Sequence, residues 1–181
     1  EESLYDANHG IQQGTVVGLI RIGARSTRIN RRRNGVSTFT GDLQLGGEAF
    51  TESLVQGLQI SYDQAESYKV TGLLEGKKGN DLETLLKPPC AALVEEISRT
   101  LSLYAGMAAE EGIHSIYLSG GSAKVPGLCP LLGEKLGVPV QLAEPFRGFS
   151  VAKNIDKSYL ADSALVLAVG AGLSIRRPGD K

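Results

Sequence analysis

Only two cysteines, Cys90 and Cys129, occur in the 181 residues, far apart and outside any cluster of metal ligands. That scarcity excludes a disulfide framework and a structural zinc site, and it fits a reducing cytoplasm. Histidine is equally sparse. His9 and His114 have neither ligand residues nor a nucleophile at a suggestive spacing, so both read as structural. Neither sign of charge dominates: 19 Lys+Arg against 20 Asp+Glu leave a formal net charge of -1. This removes the global electrostatic case for nucleic acid or an anionic membrane as partner. The one basic run, Arg31, Arg32 and Arg33, reads as a solvated hairpin tip. No apolar run approaches the ~20 residues that a membrane-spanning helix needs, and the opening residues carry no signal-peptide pattern. Internal repeats and low-complexity tracts are absent as well.

With 41% hydrophobic and 22% charged residues, the chain can bury one sizeable core and reads as one globular lobe. Residues 1–9, with Leu4, Tyr5 and Ala7 followed by Gly10, look like a helix tail ending at a glycine stop, which implies a preceding segment. The β-branched run TVVGLI (15–20) predicts a buried strand. Two further strands, 26–32 and 36–43, flank Asn34-Gly35, a pair whose access to positive φ suits a type I′ hairpin turn. Phe50, Leu54 and Leu58 then recur every four residues on one helical face. Ser61 is a candidate N-cap for a short helix carrying Ala65, Tyr68 and Leu73, followed by a glycine loop at 76–79. Pro88 and Pro89 suit a first helical turn, and Leu93, Ile97, Leu101, Tyr104 and Ala108 continue that helix to about Gly112. A strand at 115–119, a helix at 128–136, a strand at 138–142 and a small-residue helix at 162–173 complete the order. A meander followed by alternating helices and strands predicts an α/β fold with a mixed sheet of ribonuclease H-like order.

Three stretches carry possible chemistry. In IRIGARST (20–27) a strand delivers a glycine turn, where backbone N–H groups can approach an anion and Ser26 or Thr27 can add a hydroxyl. Taken alone, the motif reads better as a glycine turn inside an ordinary β-hairpin. In LSGGSAKVPGL (118–128) a strand ends at Gly120-Gly121 before a helix start, so a base or ribose could pack on bare backbone beside a partial positive charge. Its bland reading is a tightly packed strand-to-helix turn. In AESYK (65–69), Glu66 and Lys69 share a helical face and could grip ribose hydroxyls and a purine edge, or form a plain surface ion pair. The chain lacks GxGxxG and the lysine-bearing phosphate loop, which disfavours a dinucleotide fold or a P-loop enzyme. Ser119 has no G-x-S-x-G elbow around it, so a hydrolase triad has no support.

Taken in order, the strand-glycine-hydroxyl turn, the Gly46-Gly47 helix start, the AExxK helix and the strand ending in GG resemble the second half of the actin-like ATPase superfamily. Within it, DLQLGGEAFTESL, EISRTLSLY, LSGGSAKVPGLCPLLGEKLGVPVQLAEPF and LAVGAGLSIR resemble the PilM family of type IV pilus assembly proteins, with FtsA-like division proteins as the alternative. The resemblance implies an ATP site bordered by Gly23, Ser26, Thr27, Glu66, Lys69, Gly120, Gly121 and Ser122. It also implies a cytoplasmic scaffold at the bacterial inner membrane, with other pilus assembly proteins and the tail of a PilN-like inner-membrane protein as partners, the tail binding in the other half. The implied division is an interdomain helix tail over 1–14, a ribonuclease H-like core over 15–49 and 88–181, and a small helical subdomain over 50–87 beside the nucleotide cleft.

One residue departs from that pattern. The superfamily places a carboxylate two positions before the first glycine, where it helps to hold magnesium; this chain has Arg21. A guanidinium is always cationic and cannot ligate a metal, which counts against magnesium-assisted hydrolysis. Arg21 either contacts phosphate oxygens directly or points away from the site. The rival function, an active ATPase or sugar-kinase-like phosphotransferase, has superfamily precedent but no evident general base here.

Overall fold

The computed structural model describes residues 2–10, 13–73, 79–108 and 112–176. A helix, α1 (Glu2–His9), precedes three strands, β1 (Val16–Ile22), β2 (Thr27–Arg33) and β3 (Val36–Leu43). Three helices follow, α2 (Glu48–Leu58), α3 (Tyr62–Thr71) and α4 (Gly79–Ala108), and then β4 (Ser115–Ser119), α5 (Leu128–Leu136), β5 (Val140–Leu142) and α6 (Lys157–Ser174). The five strands form one sheet in the order β3-β2-β1-β4-β5. β1, β2 and β3 pair antiparallel, whereas β4 joins β1, and β5 joins β4, in parallel. Asn34 and Gly35 turn the second hairpin at φ 52° and 79°, the positive-φ pair that the dipeptide favours.

Both faces of the sheet are covered, which is why central β1 is apolar almost throughout. Ile20 and Ile22 point to the larger core, where Phe50, Leu54, Tyr68, Leu93, Ile97 and Leu128 meet them. Each fully buried large side chain of this kind contributes about 1.5–3 kcal/mol. Residues of the 50–87 segment therefore share one core with the sheet. On the opposite face α1 and α6 form a smaller cluster around Leu4, Ala168 and Ala171.

The structure changes two local expectations. Arg31 and Arg32 do not form a solvated tip; each is only 3% exposed, inside β2. Strand alternation sends them to opposite faces. Arg31 donates to Thr38 Oγ1 at 2.8 Å and lies 5.3 Å from the centre of the Tyr104 ring on α4. Arg32 forks onto Asp6 of α1 at 2.7 and 2.9 Å. The second correction concerns Pro88 and Pro89, which lie within α4 rather than in its first turn. Proline at position 89 removes the N–H that would serve the carbonyl four residues earlier. The Ser53 hydroxyl of α2 replaces that donor, reaching the Leu85 carbonyl at 2.6 Å. The predicted 76–79 loop falls largely outside the described residues, and α6 starts five residues before the predicted 162, at Lys157, where Asp156 caps it.

Candidate functional site

The three suspected motifs converge on the backbone of one glycine, Gly47. The turn after β1 closes with the Gly23 N–H donating to the Ser26 carbonyl at 2.9 Å. The start of α2 then docks on that turn: the N–H groups of Gly47 and Glu48 reach the carbonyls of Gly23 and Ala24, each at 2.8 Å. The approach is too close for side chains. A Cβ on Gly46 would lie 2.7 Å from both the Ala24 and the Gly23 carbonyl oxygens. A Cβ on Gly47 would lie 2.0 Å from Ser122 Oγ. Gly47 thus touches the first motif by its N–H and the GG motif by its bare Cα.

Its carbonyl reaches the third motif. Helix α3 begins with a reciprocal cap between Ser61 and Gln64 and ends at Gly72 in the left-handed conformation. Ala65 and Tyr68 anchor it in the core, which places Glu66 and Lys69 against α2. Lys69 is 7% exposed. Its ammonium donates to Glu66 Oε1 at 2.6 Å, to Thr51 Oγ1 at 2.8 Å and to the Gly47 carbonyl at 3.3 Å. Three donors thus face three acceptors. The Thr51 hydroxyl is also hydrogen-bonded to Glu66 Oε1 and lies 3.2 Å from the Gly47 carbonyl. Burial works against ionising Glu66, but the hydrogen bonds from Lys69 and then Thr51 outweigh it and hold the carboxyl below its ordinary value.

The β4 turn supplies the facing wall. Gly120 adopts φ +89°, and a Cβ there would come within 2.3 Å of the Ile22 carbonyl oxygen. The Gly120 N–H donates to the Leu165 carbonyl at 2.9 Å, and Lys124 Nζ reaches the Ala161 and Asp162 carbonyls at 3.2 and 3.3 Å, so the turn is tied to α6. Between α3, this turn and α6 lies a cleft of about 680 Å³. Glu66, Lys69, Gly121 and Ser122 line it together with Tyr62 and Val166. Its size is that of a small-ligand site.

The other sequence-derived candidates sit differently. Gly23 and Gly120 shape the walls through their backbones. Ser26 is half-buried at the end of its turn. Thr27 is wholly buried, and its hydroxyl donates to the Leu45 carbonyl at 2.8 Å. Arg21 alternates with Ile20 and Ile22 and therefore faces the α1 and α6 side of the sheet, opposite Arg28 and Ser119 in register. It is not among the residues lining the cleft. Among the described residues no group of three or more His, Cys, Asp or Glu could hold a metal. Sequence reasoning did not single out Thr51. The signal was present: a hydroxyl beside Phe50 on the buried face of a helix, four residues after Gly47.

Comparison with known proteins gives the family and the fold. The family described as "Type IV pilus assembly protein PilM" matches residues 4–178. A chain in a solved PilM-PilN type IV pilus biogenesis complex superposes with a TM-score of 0.82 at 25% identity, over 97% of this chain and 50% of that one. MreB5 of Spiroplasma citri bound to AMPPNP gives 0.65 at 15% identity, over 97% and 57%. The archaeal actin homolog Ta0583 in complex with ADP gives 0.64 at 17%, over 94% and 53%. These last two show the fold alone, an actin-like one. A curated relative, the ethanolamine utilization protein EutJ of Escherichia coli strain K12, is 26% identical over 114 residues, which cover 63% of this chain and 36% of EutJ. The chain thus spans about half the length of the structures it matches and about a third of EutJ. With its family matched over nearly all of its length, this chain belongs to the PilM family of type IV pilus assembly proteins.

Proposed function

We propose that the chain forms one wall of a purine-nucleotide cleft in a type IV pilus scaffold protein. The observation that carries the reading is the convergence of the Glu66 carboxylate, the bare backbone of Gly121 and the Ser122 side chain on one ligand-sized cleft. A carboxylate suits ribose hydroxyls, an uncovered glycine suits a flat base, and Tyr62 adds a ring at the mouth. The turn at 23–26 lies beside the cleft through Ala24, where its backbone can face phosphate oxygens. The nucleotide-bound actin-like relatives support the same assignment by fold. ATP or ADP held here would supply binding energy for assembly rather than bond cleavage, because Arg21 replaces the carboxylate expected for magnesium.

The scaffold role rests on the family and on the PilM-PilN complex. A PilN-like inner-membrane tail is the partner we assign to the whole protein, at the cytoplasmic face of the bacterial inner membrane, with other pilus assembly proteins around it. Among the described residues no helix is long and apolar enough to cross a membrane. Titration calorimetry of ADP into the intact protein, with and without magnesium, tests the nucleotide reading. The expected result is binding that magnesium does not strengthen, with phosphate release from ATP no faster than in buffer. Magnesium-dependent turnover would assign the protein to the active ATPases instead.

A further inference from the structure

We propose that Thr51 is a positioning residue for the nucleoside end of the cleft: its hydroxyl, together with Lys69, fixes the Glu66 carboxylate for ribose hydroxyls. The inference rests on the nucleotide reading above and deepens it. It begins with the Lys69 ammonium, which is almost wholly buried and meets Glu66 Oε1, Thr51 Oγ1 and the Gly47 carbonyl at 2.6, 2.8 and 3.3 Å. An ammonium has three protons, so none is left for a ligand. Lys69 therefore acts through Glu66 and not on the nucleotide.

The Glu66 carboxylate divides accordingly. Oε1 takes the hydrogen bonds of both Lys69 and Thr51, while the Glu66 side chain is 38% exposed at the cleft. The second oxygen is the one free of these two donors, and two donors on one oxygen fix the plane of the carboxylate. Such pre-organisation raises affinity because the group does not have to be ordered when ligand arrives. Thr51 is itself wholly buried, 0% exposed and 3.2 Å from the Gly47 carbonyl. Gly47 in turn donates to the Gly23 carbonyl at 2.8 Å. The hydroxyl is thus the point where the ribose-side carboxylate is tied to the phosphate-side turn.

The test is titration of ADP into the intact protein and into Thr51→Val, Thr51→Ser and the double variant Thr51→Val/Lys69→Met. Valine keeps the shape and removes the hydroxyl, serine keeps the hydroxyl, and the double variant also removes the buried ammonium that Thr51→Val leaves short of an acceptor, with folding of each variant checked by circular dichroism. We expect Thr51→Val to bind about tenfold more weakly, the scale of one lost hydrogen bond to a charged group, the double variant to bind at least that much more weakly, and Thr51→Ser to restore affinity to within about threefold. Wild-type affinity in a folded variant without the hydroxyl would overturn the positioning role and leave the nucleotide reading standing. Equal loss in Thr51→Ser and Thr51→Val would also overturn it, because the methyl group and not the hydroxyl would then matter. Failure of the unmodified protein to bind ADP would remove both readings.

Discussion

Gly47 is the residue on which the candidate site turns. Its three neighbours come from three distant parts of the chain: Gly23 by hydrogen bond, Lys69 by its ammonium and Ser122 by direct contact. Gly47→Ala would place a methyl 2.0 Å from Ser122 Oγ. We predict a loss of about 1–3 kcal/mol in urea unfolding, the usual scale of overpacking, with Gly47→Ala/Ser122→Gly recovering a good part of it. Glu66 makes a second prediction at this scale. Its folded pKa is depressed, so its contribution to stability is complete above the ordinary value of 4.5 and is lost as pH falls through the folded value. Tyr62 lies beside it on α3, and its hydroxyl is raised by burial and then by the charge of Glu66. Urea midpoints measured across the acid range should fall less steeply for Glu66→Gln than for the unmodified protein. At this scale the sequence was only partly legible. The i, i+3 spacing of Glu66 and Lys69 is visible in one dimension, but the saturation of Lys69 depends on Thr51 and Gly47, which arrive from another helix.

Among the elements, α1 shows how a short helix can be held by few contacts. Eight residues are too few for a stable isolated helix. Arg32 clamps Asp6, Leu4 is buried against α6, and the Tyr5 ring stacks on His9 at 4.7 Å and meets Tyr117 edge-on at 5.0 Å. Burial, then the neighbouring Tyr117, pushes the Tyr5 hydroxyl up from 10.0 to about 12. A raised folded value means that the stability tied to neutral Tyr5 is intact below pH 10 and is lost as pH climbs towards 12. The ellipticity contributed by α1, followed by circular dichroism, should therefore fall over that alkaline interval, and Tyr5→Phe should flatten the response. The strands and helices themselves were readable from periodicity, Asn34-Gly35 and the Ser61 cap. The Arg31 and Arg32 burial and the prolines within α4 were not, because their compensating partners, Asp6, Tyr104 and Ser53, are remote in sequence.

At the scale of the whole molecule, the order of elements was legible because each follows its own local period, and the order alone indicated a mixed sheet. The proposed function is carried by the space between elements. The cleft exists because α3, the turn after β4 and α6 converge, and residues from all three line it. The central claim is that a purine nucleotide occupies this space. Photolabelling of the intact protein with an 8-azidoadenine nucleotide, followed by peptide mapping, tests it most directly. The account predicts label within 62–71 or 120–125, displaced by excess ADP; label elsewhere, or label that ADP does not displace, would contradict it.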